Sequence, residues 1–228
     1  MSLRTLSSLA DCPVRALDGP IGTVKEFYFD DATWKVRYLV VDLSRRTPPR
    51  KVLIAPAAVS GITWGEDLVR INETAEKIGN SPDIDTDKPI VRQHEAEIHR
   101  HYGWELYWAA EALAGSNEQI ESRIPEKFLN KDGKPFDSHL RTTRIVKGYA
   151  VHAVNGKAGR IIDFILDPEN WTIRSLVVKT KHGRPVIVPV AWIDRISFEE
   201  KAVHLSTPSD QIEKCEVFDP STPVGSHR

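Results

Sequence analysis

The sequence predicts an all-β protein, built from two small six-stranded β-barrels that a partly helical linker joins. The first observation is an internal repeat: residues 14–41 of the 228-residue chain reappear as residues 151–178. A repeat this long indicates a duplicated domain, because solenoid repeats have periods of about 20–50 residues. The second observation is that short apolar runs alternate with turn residues in both copies, which is typical of small barrels.

The residues shared by the two copies are those that shape a fold. Turn glycines, aromatic residues and one pair of oppositely charged residues recur at a constant spacing of 137 residues, as from Val14 to Val151. The pairs include Gly19/Gly156, Gly22/Gly159, Phe27/Phe164, Asp30/Asp167, Trp34/Trp171 and Arg37/Arg174. We interpret the pair Arg37 and Arg174 as structural ion-pair donors to Asp30 and Asp167 or to Glu26 and Asp163, because a single active site does not need both copies.

The elements of each barrel follow in chain order. Asp18-Gly19 and Asn155-Gly156 predict the first hairpin turns. Ile162, Phe164 and Leu166 occupy every second position, which predicts a half-buried strand. A turn at residues 167–170, a return strand, a short strand that stops at Pro56 or Pro189 and a last hairpin complete six strands.

A short amphipathic helix is predicted after each barrel. Asn72 or Thr74 would cap the first helix, with Ile78 facing inward, and Ile212 has the same place in the second. The predicted organisation is therefore a first repeat at residues 1–79, a linker at 80–138, a second repeat at 139–216 and a tail at 217–228.

Bulk composition narrows the class of protein. Thirty-one Lys and Arg residues against 32 Asp and Glu give a net charge of −1, which does not indicate wholesale capture of nucleic acid. The two cysteines, Cys12 and Cys215, make neither a disulfide framework nor a zinc motif, and no apolar run reaches the ~20 residues of a membrane span. We expect a cytoplasmic protein without a membrane span.

These residues resemble the PRC-barrel family, named for the cytoplasmic domain of the photosynthetic reaction-centre H subunit. The resemblance lies in Asp18-Gly19, Gly22, Phe27, Asp30, Trp34, the run 37–42 and Ile54-Ala55-Pro56, with the matching set in the second copy. The linker residues Tyr102-Gly103-Trp104 and Tyr107-Trp108 resemble those of stand-alone bacterial tandem PRC-barrel proteins.

The resemblance implies six-stranded barrels that act as adaptors. In the reaction centre the domain caps a membrane complex and helps carry protons toward a quinone, and in a ribosome-maturation factor a related barrel binds a ribosomal protein. The 228 residues show no counterpart of the transmembrane helix of the former or of the companion N-terminal domain of the latter, so we expect neither role to transfer residue by residue. We expect a non-catalytic adaptor with a protein partner.

Basic residues gather in the same loop of each repeat and are candidate partner-binding residues, for an acidic protein surface or a phosphate group. The alternative is that they are solvated loop residues. They are Arg45, Arg46, Arg50 and Lys51 in the first repeat, and Lys179, Lys181 and Arg184 in the second.

The linker aromatics Tyr102, Trp104, Tyr107 and Trp108 are candidate interface residues. Helical spacing from Trp104 to Trp108 would place two indoles on one face, to seal a contact between barrels or between two copies of the chain. A ligand pocket is the alternative reading of the same residues.

No catalytic, cofactor-binding or metal-binding residue is predicted. His94, His99 and His101 lack the four-residue spacing of a zinc-protease helix, so we expect a polar linker helix whose His and Glu side chains are solvated or paired. The alternative function is a sensor of a small ligand, protons or metal, tied to electron transport or reaction-centre assembly.

Overall fold

The computed structural model describes residues 3–43, 50–63, 67–84, 90, 92–108 and 139–220, and it contains two β-sheets of seven strands each. Each repeat supplies six strands to its own sheet, which confirms the all-β prediction. The first repeat has β2 (Pro13–Ala16), β3 (Gly19–Asp30), β4 (Val36–Asp42), β5 (Lys51–Ile54), β6 (Val59–Thr63) and β7 (Leu68–Ile71). The second has β9 (Ala150–Ala153), β10 (Gly156–Asp167), β11 (Thr172–Thr180), β12 (Pro185–Pro189), β13 (Ile193–Ser197) and β14 (Ala202–Leu205).

Both sheets have the same strand order. The first runs β5-β4-β3-β2-β7-β6 and the second runs β12-β11-β10-β9-β14-β13. Neighbouring strands are antiparallel except at one pair in each sheet: β2 lies parallel to β7, and β9 lies parallel to β14. The repeat seen in the sequence is therefore also a repeat of topology.

The seventh strand of each sheet comes from the other repeat. Strand β1 (Arg4–Thr5) precedes the first repeat but pairs with β10, and β8 (Leu140–Thr142) precedes the second repeat but pairs with β3. The two pairings are equivalent: Arg4 lies opposite Leu166 in one sheet, and Arg141 lies opposite Phe29 in the other. The repeats thus exchange their leading strands reciprocally.

The length of the central strands explains the exchange. Strand β3 has 12 residues, but its hairpin partner β2 has only four, so the second half of β3 extends beyond β2. An uncovered strand edge exposes unpaired N–H and C=O groups. Strand β8 covers that edge at Tyr28–Asp30, and β1 covers the matching edge of β10.

Two tryptophans continue the contact between the repeats. Trp34 and Trp171 have φ angles of 60° and 54°, a left-handed conformation that is uncommon outside glycine. In this conformation the carbonyl of Trp34 accepts a hydrogen bond from the amide of Ile173 at 2.8 Å, and that of Trp171 accepts one from Val36 at 2.7 Å. The ring of Phe29 packs 5.8 Å from that of Phe164 beneath them.

The long strands are buried more completely than predicted. The alternation of Ile162, Phe164 and Leu166 indicated one buried face, but residues 26–30 and 163–167 are all buried. The reason is the neighbouring repeat, which covers the face that would otherwise meet solvent. The prediction of a half-buried strand is therefore wrong at these positions.

Barrel closure, as predicted from strand count, is not observed in the hydrogen bonding of the described residues. No ladder there joins β5 to β6 or β12 to β13, the two ends of each sheet. In the second repeat the tail covers β12 instead: Ile187 donates to the carbonyl of Glu216 at 2.9 Å, and Phe218 donates to that of Pro185 at 3.0 Å.

The helices that follow the sheets agree with the prediction. Thr74 caps α1 (Ala75–Gly79), and Ile78 is fully buried. The linker contains α2 (Arg92–Tyr102), and α3 (Thr143–Val146) follows β8. The last helix is α4 (Ser209–Glu213), in which Ile212 is buried. Within the described residues, no helix combines the length and apolar character that a membrane crossing requires.

We predict that the two repeats unfold as one unit. Phe164 is 1% exposed and packs on Phe29 across the contact, so Phe164→Ala should lower the free energy of unfolding by about 3–5 kcal/mol. Urea denaturation followed by circular dichroism should keep a single transition. Leu17→Ala, at a position that is 64% exposed, is the control and should change stability by less than about 0.5 kcal/mol. Two separate transitions in the Phe164 variant would contradict the prediction.

Candidate functional site

The basic loop of the first repeat is described only in part. Arg45 and Arg46 lie outside the described residues. The guanidinium of Arg50 donates to the carbonyls of Gly79 and Ser81, which ties the start of β5 to the end of α1. Lys51 lies directly opposite Asp42 in the ladder between β4 and β5.

The basic loop of the second repeat is more open. Lys179 and Lys181 are exposed. Arg184 is also exposed, but its Nη2 donates to the carbonyl of Cys215 at 3.0 Å, after helix α4. Arg184 therefore makes the same kind of contact as Arg50, which leaves the two lysines as the cations available to a partner.

The linker helix α2 packs on the first repeat around a buried polar cluster. The hydroxyl of Tyr38, on β4, lies 3.0 Å from Glu95 Oε2 and 2.7 Å from His99 Nε2. The hydroxyl of Tyr107 donates to the same oxygen of Glu95 at 2.7 Å. Glu95 is 0% exposed and His99 is 3% exposed, so both side chains lie in the interior. We call Tyr38, Glu95, His99 and Tyr107 the linker cluster.

The hydrogen bonds of His99 determine that one of its ring nitrogens, Nδ1, is protonated. Nδ1 lies 2.8 Å from the backbone carbonyl of Glu105, which only accepts hydrogen bonds, so Nδ1 carries a proton. The imidazole also touches Trp104 and Trp108 edge-on, with ring centroids 5.8 and 5.3 Å away. His99 thus contacts both candidate interface indoles, Trp104 and Trp108.

The prediction of paired polar side chains on this helix is confirmed at Glu95, which accepts hydrogen bonds from Tyr38 and Tyr107. The histidine spacing did not indicate the informative pair, which is Glu95 and His99, four residues apart on one face. The helical spacing predicted from Trp104 to Trp108 is not part of α2, which ends at Tyr102. The two indoles meet at His99 because the chain folds back after Gly103, whose φ is 76°.

Tyr102 and Trp104 form a second aromatic contact, against helix α1. Their rings stack 4.1 Å apart and nearly parallel, and the ammonium of Lys77 lies 5.8 Å from the Tyr102 ring. Burial raises the pKa of Tyr102 to about 12, against a smaller opposite effect of the Ser81 hydroxyl. These contacts place the predicted interface aromatics against the first repeat.

An ion pair joins the linker cluster to the contact between the repeats. Arg37 Nη2 donates to Asp30 Oδ2 at 2.9 Å, and the guanidinium carbon lies 3.9 Å from the centre of the Tyr107 ring. Burial pushes the pKa of Asp30 upward, but hydrogen bonds from Arg37 and Thr33 and the Arg37 charge outweigh it and hold the pKa below its ordinary value.

The equivalent pair in the second repeat is Arg174 and Asp167, at 3.1 Å. The prediction of structural ion pairs to Asp30 and Asp167 is therefore confirmed. The two copies differ in burial: the Arg37 side chain is 9% exposed and the Arg174 side chain is 51% exposed.

The two thiols and the metal-ligating side chain types can be compared with the requirements of nucleophilic and metal sites. Burial raises the pKa of both thiols, Cys12 and Cys215, and so disfavours the nucleophilic thiolate. Across the described ranges, no three His, Cys, Asp or Glu side chains come together as a metal site would need. The carboxylates of Glu26 and Asp163 line a cleft of about 210 Å³ between the repeats and face Arg144 and Ser7.

Comparison with protein families gives one match. Residues 1–78, which run from the N-terminus into helix α1, match the PRC-barrel domain. A comparison with curated proteins found no match.

We predict that the two equivalent ion pairs differ in their contribution to stability. Asp30→Asn removes the charge partner of a buried arginine and should cost about 3 kcal/mol. Asp167→Asn is the matched control, because Arg174 is half exposed, and should cost about 1 kcal/mol or less.

The pH dependence of stability should test the pair of Asp30 and Arg37 further. Because the folded pKa of Asp30 is lowered, its contribution is complete above the ordinary aspartate pKa of about 3.9 and is lost as the pH falls through the folded value. Urea denaturation of the unchanged protein and of Asp30→Asn at several pH values between neutral and acid measures this loss of stability. Equal losses in the two variants would contradict the assignment.

We also predict that the Tyr38 hydroxyl holds the linker helix in place. Tyr38→Phe leaves buried Glu95 and His99 with one partner fewer and should cost about 1–3 kcal/mol. Tryptophan fluorescence should change as well, because Trp104 and Trp108 pack on His99. The control is Tyr149→Phe, whose hydroxyl makes no hydrogen bond within the described residues. Equal changes in stability and tryptophan fluorescence in the two variants would show that the Tyr38 hydroxyl does not hold the linker helix in place.

Proposed function

We propose that the chain is a non-catalytic tandem PRC-barrel adaptor that binds another macromolecule, since its first repeat, residues 1–78, matches the PRC-barrel domain. PRC-barrel domains are protein-interaction and scaffold domains. The identical strand order of the second sheet supports assigning the second repeat to the same family. The partner is a protein, and the adaptor works in the cytoplasm, where its two free cysteines stay reduced.

The observation that carries the proposal is the reciprocal exchange of leading strands. Strands β1 and β8 fix the two sheets relative to each other, so surfaces on the two repeats keep a constant separation and orientation. A partner with two matching binding surfaces, or a two-fold symmetric partner, can then contact both repeats at once. After the first surface binds, the second is present at a high effective concentration. The titratable groups described above are engaged in holding the structure together, which also favours binding over catalysis.

One exposed apolar position recurs in both repeats. Leu17 is 64% exposed and Val154 is 67% exposed, at equivalent places on the first hairpin of each repeat. Both hairpins are rigid: Leu17 donates its amide to Glu73 O at 3.0 Å, and Val154 donates to Thr207 O at 3.1 Å. Aliphatic side chains displayed on a rigid turn are suited to a contact with a protein partner.

The basic and aromatic candidates contribute differently to the proposal. Lys179 and Lys181 add positive charge to the second repeat, which suits a partner with an acidic surface. Tyr102, Trp104, Tyr107 and Trp108 lie against the first repeat and are proposed to hold the linker, with homodimerisation through this region as an alternative.

A sensor is the second candidate function. The observation that favours it is the buried linker cluster, in which Tyr38 lies between a carboxylate and an imidazole. A change in protonation or the entry of a ligand there would alter the position of α2. In that case tryptophan fluorescence of the purified chain should respond to pH or to added ligands without any partner protein.

We predict that the full-length chain recovers a stoichiometric protein when it is tagged and purified from its native source. Leu17→Ser with Val154→Ser should weaken that recovery more than either change alone, because both repeats contribute. Ile145→Ser is the control, since Ile145 is also exposed, at 46%, but lies in α3. Mass spectrometry of the eluate identifies the recovered protein and its amount relative to the chain. A chain that elutes alone, with bound small molecule, would support the sensor instead.

A further inference from the structure

A basic cleft lies on the second repeat, where β10 and β11 pair at the end opposite to the other repeat. Its volume is about 560 Å³, which is within the range of small-ligand sites. Four of the residues that line it are cationic: Lys157, Arg160, Lys179 and Lys181. We call it the basic cleft.

The cations of the basic cleft are placed against each other. Arg160 and Lys179 lie directly opposite in the antiparallel ladder. Like charges at directly opposed positions destabilise a sheet. Within the part of the chain that the structure describes, none of the four side chains makes a hydrogen bond or an ion pair, so no acidic neighbour there compensates for the repulsion.

The first repeat shows that the fold does not require this charge. The positions equivalent to Arg160 and Lys179 are Thr23 and Asp42, which pair in the same register. The position equivalent to Lys157 is Pro20. The two copies therefore share the strand geometry but differ in charge, and the unfavourable arrangement belongs to the second copy alone.

A buried hydroxyl adds a second difference. Thr180 lines the basic cleft, is 4% exposed, and has an Oγ1 atom without a hydrogen-bond partner among the described residues. Buried hydroxyl groups normally find a partner. The equivalent residue in the first repeat is Leu43, which is apolar and fully buried. A polar group thus stands at the cleft where the other copy has a hydrocarbon.

We propose that the basic cleft binds an anionic ligand that carries two or more phosphate groups. Arginine offers a planar fork to phosphate oxygens, lysines supply compact charges, and four cations exceed the charge of a single phosphate. The bound anion relieves the repulsion between Arg160 and Lys179. The site does not depend on the proposed adaptor function, because the purified chain alone is expected to bind. Its ligand is either a soluble phosphorylated compound or a lipid headgroup.

The test uses inorganic pyrophosphate as the probe and isothermal titration calorimetry on the full-length chain. The double variant Arg160→Thr with Lys179→Asp introduces the pair that the first repeat already carries. It should weaken pyrophosphate binding by at least about tenfold. Its melting temperature should stay equal or rise, because the like-charge pair is gone.

The control removes two cations from the first repeat, which changes the net charge by −2 against −3 in the double variant of the basic cleft. Arg15 and Lys35 are both exposed, and Arg15→Gln with Lys35→Gln lowers the positive charge of the chain without touching the basic cleft. This variant should bind pyrophosphate as the unchanged protein does. Equal weakening in both double variants, or no binding by the unchanged protein beyond that of sulfate at the same ionic strength, would overturn the proposal.

Two further measurements identify the source of the phosphate groups. Cosedimentation with phosphatidylcholine vesicles that contain a phosphatidylinositol monophosphate, but not with phosphatidylcholine alone, would support a lipid headgroup. Pyrophosphate binding without cosedimentation would support a soluble compound. A failed search for a protein partner would leave these results unaffected.

Discussion

The structure depends on the pairing of each long central strand with the leading strand of the other repeat. Strands β3 and β10 are too long for their own hairpin partners, and their free edges would otherwise expose backbone N–H and C=O groups. Strands β8 and β1 cover these edges. Because each repeat completes the sheet of the other, their relative position follows from backbone hydrogen bonds and does not rely on side-chain contacts alone.

The duplicated halves keep this contact and differ elsewhere. The reciprocal bonds at Trp34 and Trp171 are the same in both directions. On the surface the linker packs against the first repeat, so Arg37 is buried beneath Tyr107 while Arg174 remains half exposed. The second repeat instead carries the basic cleft. We infer that the two repeats have different roles: the first anchors the linker, and the second presents a charged surface.

The sequence predicted the local elements well, because hairpin turns and strand periodicity are local properties. The turns at Asp18-Gly19 and Asn155-Gly156, the strands beside them and the helix around Ile78 follow from neighbouring residues. The strand exchange was missed, since β1 and β8 have two and three residues and carry no periodic pattern. The burial of the acidic and imidazole side chains in α2 was missed for a related reason: the strand residue that they share as a partner, Tyr38, lies about 60 residues away in sequence.

Native-state hydrogen exchange at the amides of Val36 and Ile173 tests the central claim most directly. These amides donate across the contact between the repeats, to Trp171 and Trp34. If the two repeats form one folding unit, both amides exchange only through global unfolding. Their free energies of opening then equal those of the amides at the centre of each sheet. Exchange of both at a clearly lower free energy, while the other amides of β4 and β11 stay protected, would show that the repeats separate without unfolding and would contradict the account.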